Sequence, residues 1–314
     1  MSKINLYKTW NDFEVSCSDK SPYDLRIWKE VWLSHFSEDY NFEYISNSNF
    51  FVPLKYRDFE ASIIGDKDIV DYNNILYIEN ERKDFLDLID QVFELDINRF
   101  TLYSISENSP TFNLLRNENI LTDYCVDYAQ EDVSPYLTLP KSWDEYMSYL
   151  PKKKRHELRR KIRRLEENSD FLAGDLISLD DKDEILEEFL RLHKISSDEK
   201  KIFMTNKMEL FFRDLIVEML KEKSLKYSYL KINNQTVACS ISFMDQKNRF
   251  LYNSGFDPSY NNFSSGLLNH AFAIKRSIQE GLKTFDFMRG NERYKYDLGG
   301  VDKNIYTFQI SKNE

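Results

Sequence analysis

The sequence predicts a mixed α/β protein built from two halves, and three observations carry that prediction. With 314 residues and 41% hydrophobic content, the chain can supply more than one core. Its first part, to about Leu139, alternates strand-like and helix-like segments. Its later part runs strand, polar loop, helix, strand from Phe250 to Met288.

In the first half, Phe50–Leu54 and Asn74–Ile78 carry strand-like residues. Asp84–Leu95 places Phe85, Leu88, Ile89, Val92 and Phe93 at helical spacing. Phe100–Ile105 alternates like a strand, 111–119 reads as a helix, and Tyr124–Tyr128 and Tyr136–Leu139 read as strands. Pro140 resets the pattern, so the expected domains are 1–140 and 141–314. No low-complexity linker separates the halves, and tight packing between them is expected. No internal repeat is visible in the residues themselves.

The second half opens with Ser142 and Glu145, spaced as a capping box for a short helix that Pro151 ends. A basic helix follows over 152–167, then helices over 183–194 and 206–223. In the last of these, Met208, Phe211, Phe212, Leu215, Ile216 and Met219 form one apolar stripe, and Asn206 with Glu209 suggests another capping box. Asn233-Asn234 between two strand patterns is a hairpin signal, because Asn tolerates positive φ. Phe250–Phe256 is a strand, 257–266 a loop closed by Gly266, 267–279 a helix and 283–288 a strand. This tract completes the half, and Ile305–Ile310 is expected to add a final strand.

Composition narrows the function. The net charge of −10 excludes a uniformly basic nucleic-acid binder, leaving only a local patch for a polyanion. Residues 1–10 lack the apolar core of a signal peptide, and no stretch nears the roughly 20 apolar residues of a membrane helix. Cys17, Cys125 and Cys239 are scattered, and the four histidines show no ligand spacing. A cytoplasmic protein without a structural metal is the expectation.

Three constellations stand out. The helix over 152–167 holds nine Lys and Arg residues before Glu166, including Lys154, Arg155 and Arg159, with Glu157 the single acid among them. Without those nine bases and one acid, the rest of the chain falls from −10 to −18. Leu158, Ile162 and Leu165 give the helix one apolar seam, so its basic faces stay outward. It reads either as a solvated face or as a site for phosphates of a nucleotide, a sugar phosphate or a tRNA backbone. The loop Asn261–Gly266 opens a helix whose first N–H groups lack internal acceptors. It reads as a simple connection or as a phosphate cradle. Asp286, Glu292, Tyr294 and Lys295 gather at and after a strand end, as surface ion pairs or as acid–base groups. His270, beside Ala271 and Phe272, reads as a packing residue.

Several runs resemble one protein family. Val237-Ala238, Asn253–Pro258, Ser265-Gly266, Gly281, Asp286-Phe287 and Gly290–Lys295 resemble the signature of FemAB-like GNAT acetyltransferases. That branch includes exopolysaccharide and cellulose-biosynthesis (CelD-like) members. Tyr149–Arg155 with Leu158–Arg160 is similar to its basic helix, and Gly65–Tyr72 resembles a short motif of its first half. The resemblance spans roughly residues 50–310 and is specific after residue 140.

The resemblance implies two tandem GNAT-like lobes packed together, the second binding the acyl donor. It implies transfer of an acyl group, acetyl in the simplest case, from acyl-CoA to an amine. The acceptor would be a small molecule, an amino sugar, a sugar nucleotide or another cell-envelope precursor. Asn262, Phe263, Ser264, Ser265 and Gly266 would face the donor pyrophosphate, and Tyr252 with its strand would border the pantetheine arm. Lys295, Glu292, Tyr294 and Asp286 would border the reacting centre, and Lys154, Arg155 and Arg159 would hold a phosphorylated group. Ordinary acetyltransferases carry Gln/Arg-x-x-Gly-x-Gly/Ala in this loop, whereas Asn261–Gly266 has one glycine. Two other readings follow: aminoacyl transfer from charged tRNA, as in the peptidoglycan-building relatives, and a non-catalytic protein that keeps the fold.

Overall fold

A computed structural model of the chain describes residues 3–117 and 120–313. From the N-terminus the chain forms α1 (Lys3–Ser16), α2 (Arg26–Phe36), β1 (Asn41–Ser46), β2 (Phe50–Arg57), β3 (Glu60–Ile63) and β4 (Leu76–Tyr77). There follow α3 (Arg82–Val92), β5 (Arg99–Ser106), α4 (Pro110–Leu115), β6 (Tyr124–Val133) and β7 (Tyr136–Thr138). Next come α5 (Trp143–Tyr149), α6 (Lys152–Asn168), β8 (Phe171–Leu176), α7 (Lys182–Ser196), α8 (Asp198–Phe203) and α9 (Asn206–Lys221). The chain ends with β9 (Leu225–Ile232), β10 (Gln235–Met244), β11 (Asn248–Phe256), α10 (Ser265–Gln279), β12 (Thr284–Asp286), α11 (Arg293–Asp297) and β13 (Asn304–Lys312).

Residues 1–133 with 303–314 form one compact unit, and residues 134–302 form the other. The first unit's sheet runs β1-β2-β3-β5-β13-β6, with β4 on β2. The second unit's sheet runs β7-β12-β11-β10-β9-β8. Two strands lie elsewhere than the sequence suggested. β7, read with the first half, pairs with β12 in the second sheet. β13, read as a final strand added to the second half, pairs with β5 and β6 in the first. Strand composition marks a strand but not its partner, which only the assembled sheet decides.

The two sheets share one pattern. β1, β2, β3, β5 and β13 pair antiparallel, antiparallel, parallel, antiparallel. β9, β10, β11, β12 and β7 repeat that order. A helix links the parallel strands in each case, α3 in the first unit and α10 in the second. The repeat is one of topology, which residue identities alone do not display.

Local signals account for most elements. α3 buries Phe85, Leu88, Ile89 and Val92, and α9 buries its stripe from Met208 to Met219. Asn233 and Asn234 take φ of 49° and 64° in the β9–β10 turn, the positive pair a two-residue hairpin needs. The helix expected over 111–119 is the shorter α4, capped by Ser109, and positions 118 and 119 lie outside the described residues. Two caps differ from expectation. Ser142 Oγ accepts from Glu145 N–H, but the Glu145 carboxylate accepts from Lys141 N–H instead of reaching Ser142. Thr205, one residue before Asn206, caps α9 by accepting from Met208 N–H.

A charged cluster joins β8, β11 and α10 inside the second unit. Arg249 is 0% exposed, and its guanidinium donates to both Asp175 carboxylate oxygens at 3.1 and 3.2 Å. Arg276 donates to Asp175 Oδ1 at 2.9 Å, and Ser228 Oγ donates at 2.6 Å. Burial raises the Asp175 carboxyl, but the charge of Arg249 and the hydrogen bond and charge of Arg276 outweigh it and hold the group well below the usual carboxylate range.

Candidate active site

The site lies where β11 and β12 part. They pair in parallel only through Asn248–Thr284, Arg249–Phe285 and Phe250–Asp286. β11 continues to Phe256, so beyond Phe250 its far edge has no strand partner among the described residues. Side chains take its place. Phe256 N–H donates to Ser196 Oγ at 2.7 Å, and Lys200 Nζ donates to the Ser254 carbonyl. α7 reaches this edge because Gly255 carries no Cβ: one placed there would lie 2.4 Å from the His193 backbone nitrogen.

Past Phe256 the chain enters a 3-10 turn over Pro258–Phe263. Asp257 opens it by accepting from Ser259 N–H at 2.9 Å. Ser264 then adopts left-handed φ and ψ of 56° and 44°, and α10 starts at Ser265. The first N–H groups of α10 have no internal acceptor, and its first turn carries no acid. Ser265 Oγ is buried and makes no hydrogen bond among the described residues. Gly266 packs against the Phe256 ring, where a Cβ would come to 3.3 Å, so its lack of a side chain serves helix–strand packing.

The basic helix and this loop, separate in the sequence, meet. Lys161 Nζ donates to Ser264 Oγ, and Arg164 donates to the Asn262 carbonyl at 2.9 Å. The three cations named from sequence are placed differently. Lys154 donates to the Tyr296 carbonyl at 2.6 Å, tying α6 to α11. Arg155 donates to the Ser148 carbonyl at 3.2 Å. Arg159 lines an open surface cleft with Lys153, Arg160, Arg163 and Arg293. A second cleft of about 240 Å³ lies between α6 and the starts of α10 and α11, lined by Leu158, Leu267 and Leu298, by Lys153, Lys161 and Arg293, and by the acids Glu157 and Asp297.

The second cluster follows β12. Asp286 Oδ1 accepts from Met288 N–H at 2.8 Å and from Ser134 Oγ at 3.2 Å. It closes a turn in which Met288 has φ of 61°. Lys295 is 1% exposed, and its ammonium meets the carbonyls of Met288, Arg289 and Gly290 at 2.9, 2.6 and 3.0 Å. Glu292 Oε2 lies 2.9 Å from the same nitrogen, while the Glu292 side chain remains 56% exposed. An ammonium has three protons, so this geometry makes Lys295 a clamp on the 288–290 turn. Gly290, at φ 107°, leaves room for the Glu292 carboxylate, which a Cβ would meet at 2.6 Å. Tyr294 stacks on His270 with ring centroids 5.0 Å apart and meets Phe287 edge-on.

Tyr252 is the extra residue of a β-bulge, opposite the step from Ile241 to Ser242. Its ring stacks on Phe243 and Phe212, at 4.7 and 5.7 Å. What Tyr252 brings to the strand edge is therefore its backbone.

Pattern reading missed Ser196, Lys200 and His193. Burial draws the Lys200 ammonium below its ordinary range, against the opposing influence of Cys239 and Glu292. His270 is 4% exposed, and its Nδ1 makes no hydrogen bond among the described residues. Burial, then the charges of Lys200, Arg249 and Lys295, push its imidazole down to about 3, so the ring is neutral at pH 7. His193 is pushed to about 3 by burial and by Lys200 and Lys194, against a hydrogen bond that its ring donates to the Asn253 side chain. His193, Ser196 and Lys200 lie close together in the sequence, but nothing there links them to the β11 edge, which Ser196 and Lys200 meet across separations of 60 and 54 residues.

Residues 152–296 match the family model of the acetyltransferase (GNAT) domain. No curated protein matches the chain. A conserved protein of unknown function from Bacteroides thetaiotaomicron VPI-5482 is similar in structure, with TM-score 0.67 and 13% identity over 98% of this chain and 97% of that one. The FemX crystal structure is similar with TM-score 0.65 and 10% identity over 96% and 95%. The C-terminal domain of a putative lysylphosphatidylglycerol synthetase from Agrobacterium fabrum gives TM-score 0.61 and 11% identity over 98% and 92%. The fold is two tandem GNAT-like lobes, consistent with the repeated strand order.

Proposed function

We propose that the second unit is an N-acyltransferase that takes its acyl group from acyl-CoA, acetyl-CoA in the simplest case. The observation that carries the reading is the convergence of α6 on the α10 N-terminus. Lys161 and Arg164 hold the very loop whose following N–H groups and unpartnered Ser265 hydroxyl suit a phosphate. The match to the GNAT domain supports acyl transfer as the chemistry. The donor arm would extend along the free edge of β11, displacing Lys200 and Ser196 from Ser254 and Phe256.

The acceptor amine would attack the thioester carbonyl carbon. A C–N bond forms, the C–S bond breaks, and the amine proton passes to Glu292 directly or through water. Lys200, within the electrostatic reach of Glu292, would face the developing oxyanion, with Lys295 ordering the turn beside it. Tyr294 would return a proton to the departing thiolate. Asp286 would hold the turn from beneath. An amino sugar or other cell-envelope precursor is the acceptor class we favour.

A second reading is aminoacyl transfer from charged tRNA. It is favoured by the row Arg159, Arg160 and Arg163 on α6, more cationic surface than one pyrophosphate requires. Calorimetric titration of the full chain with acetyl-CoA and longer acyl-CoAs decides between them. Saturable heat supports the first reading. No heat from any acyl-CoA, with salt-dependent tRNA binding that disappears when Arg159, Arg160, Arg163 and Arg164 are changed to Gln, selects the second.

A further inference from the structure

The first unit has its own divergence of parallel strands. β3 and β5 pair only through Glu60–Arg99, Ala61–Phe100 and Ser62–Thr101. β5 then runs on to Ser106, while the chain after β3 turns away at Gly65, whose φ is 124°. A cleft of about 490 Å³ opens there, between Thr101 and Tyr103 of β5 and the Gly65–Asp68 turn.

Its chemistry differs from that of the second unit. The helix that follows, α3, has Glu81 at its N-cap and Asp84 in its first turn, so its N-terminus does not favour a phosphate. Lys55 lies in the cleft on β2 and is only 6% exposed. Its ammonium pairs with Asp66 and rests on the faces of Trp32 and Tyr40, 4.6 and 4.5 Å from their centroids. Asp66 also accepts from Trp32 Nε1 at 3.2 Å, which fixes the carboxylate. Arg57, Lys67, Asp58, Glu60 and Asp68 line the cleft around this pair. Arg57 lies 3.9 Å from Asp58, Lys67 lies 3.9 Å from the buried Glu131 side chain, and Glu60 pairs with Arg99 at 3.1 Å.

Three cations and four carboxylates thus line one small cleft. A lone anion would meet the carboxylates, a lone cation would meet the buried Lys55, and Ala61 with the Tyr40 and Tyr103 rings is little apolar surface for an acyl chain among so many charges. A molecule with both charges a few bonds apart satisfies both sets. We propose that this cleft binds an α-amino acid, with its carboxylate toward Lys55 and Lys67 and its ammonium toward Asp66 and Asp68. The site stands apart from the donor reading of the second unit and holds whichever donor that unit takes.

Saturation-transfer NMR on the full chain, with a mixture of the twenty standard L-amino acids, tests it. Acetate and methylammonium serve as single-charge controls. At least one amino acid is expected to bind saturably, with Kd of roughly 1 mM or tighter, and neither control at the same concentration. Lys55→Met and Asp66→Asn should each weaken that binding at least about tenfold. If either variant unfolds, Lys67→Met and Asp68→Asn on the rim should still weaken it several-fold while melting like the parent. Binding by none of the twenty, equal binding by acetate, or full retention in the folded variants overturns the proposal.

Discussion

Arg164 donates from its guanidinium to the Asn262 carbonyl at 2.9 Å across a separation of 98 residues. Lys161 reaches Ser264 in the same way. Two contacts therefore turn a surface basic helix into one wall of the loop that opens α10.

Changing both Lys161 and Arg164 to Ala should leave the fold intact, since neither side chain is part of the core. Donor binding should weaken by roughly tenfold for each charge removed, the scale of a charge-assisted hydrogen bond. Calorimetry with acetyl-CoA measures this, and an unchanged Kd would remove α6 from the donor site.

Lys295→Met separates a clamp from a catalytic cation. The variant leaves three carbonyls around an apolar chain and Glu292 without its partner. Loss of stability by about 3 kcal/mol is expected in urea unfolding. Faster tryptic cleavage after Arg289 or Arg293 should accompany it. A Met variant of parental stability that nevertheless loses turnover would assign Lys295 to the chemistry instead.

Asp175 predicts a pH dependence. Its folded-state carboxyl lies below the unfolded value because Arg249 and Arg276 outweigh burial. Its contribution is therefore complete above the unfolded value, near pH 4, and is lost as the pH falls toward the folded value. Asp175→Asn should destabilise by about 3–5 kcal/mol at pH 7, because Arg249 stays buried without its countercharge. The gap between parent and variant should narrow below about pH 4 in urea unfolding followed by circular dichroism. A constant gap at every pH would mean that the cost comes from packing alone.

Much of the second unit was legible in the sequence. The Asn233-Asn234 turn, the α9 stripe and the strand–loop–helix–strand tract all follow from local rules that tertiary contacts left standing. β8 was not legible. Phe171–Leu176 carries Gly174 and Asp175, poor strand formers, and is held by pairing with β9 and by the Asp175–Arg249 contact. The exchange of β7 and β13 between sheets was equally hidden, because alternation reports a face and not a neighbour. At the candidate site the titratable residues were visible as types but not as roles. Lys295 looked like an available cation and is surrounded by carbonyls. Lys200 carried no motif, yet it sits at the open strand edge.

Gly255 ties fold to site. With the His193 backbone nitrogen 2.4 Å from where a Cβ would stand, and the Leu192 carbonyl carbon at 2.5 Å, α7 has no slack against β11. Both obstacles are backbone atoms of a helix, so neither can rotate aside. Gly255→Ala should lift the end of α7 and with it Ser196 and Lys200, which hold the strand edge at Phe256 and Ser254. A loss of about 3 kcal/mol or more is expected in urea unfolding. Amide exchange should rise first at Phe256, whose N–H would lose Ser196. If the Ala variant keeps parental stability and exchange, the close approach of α7 does not constrain the edge.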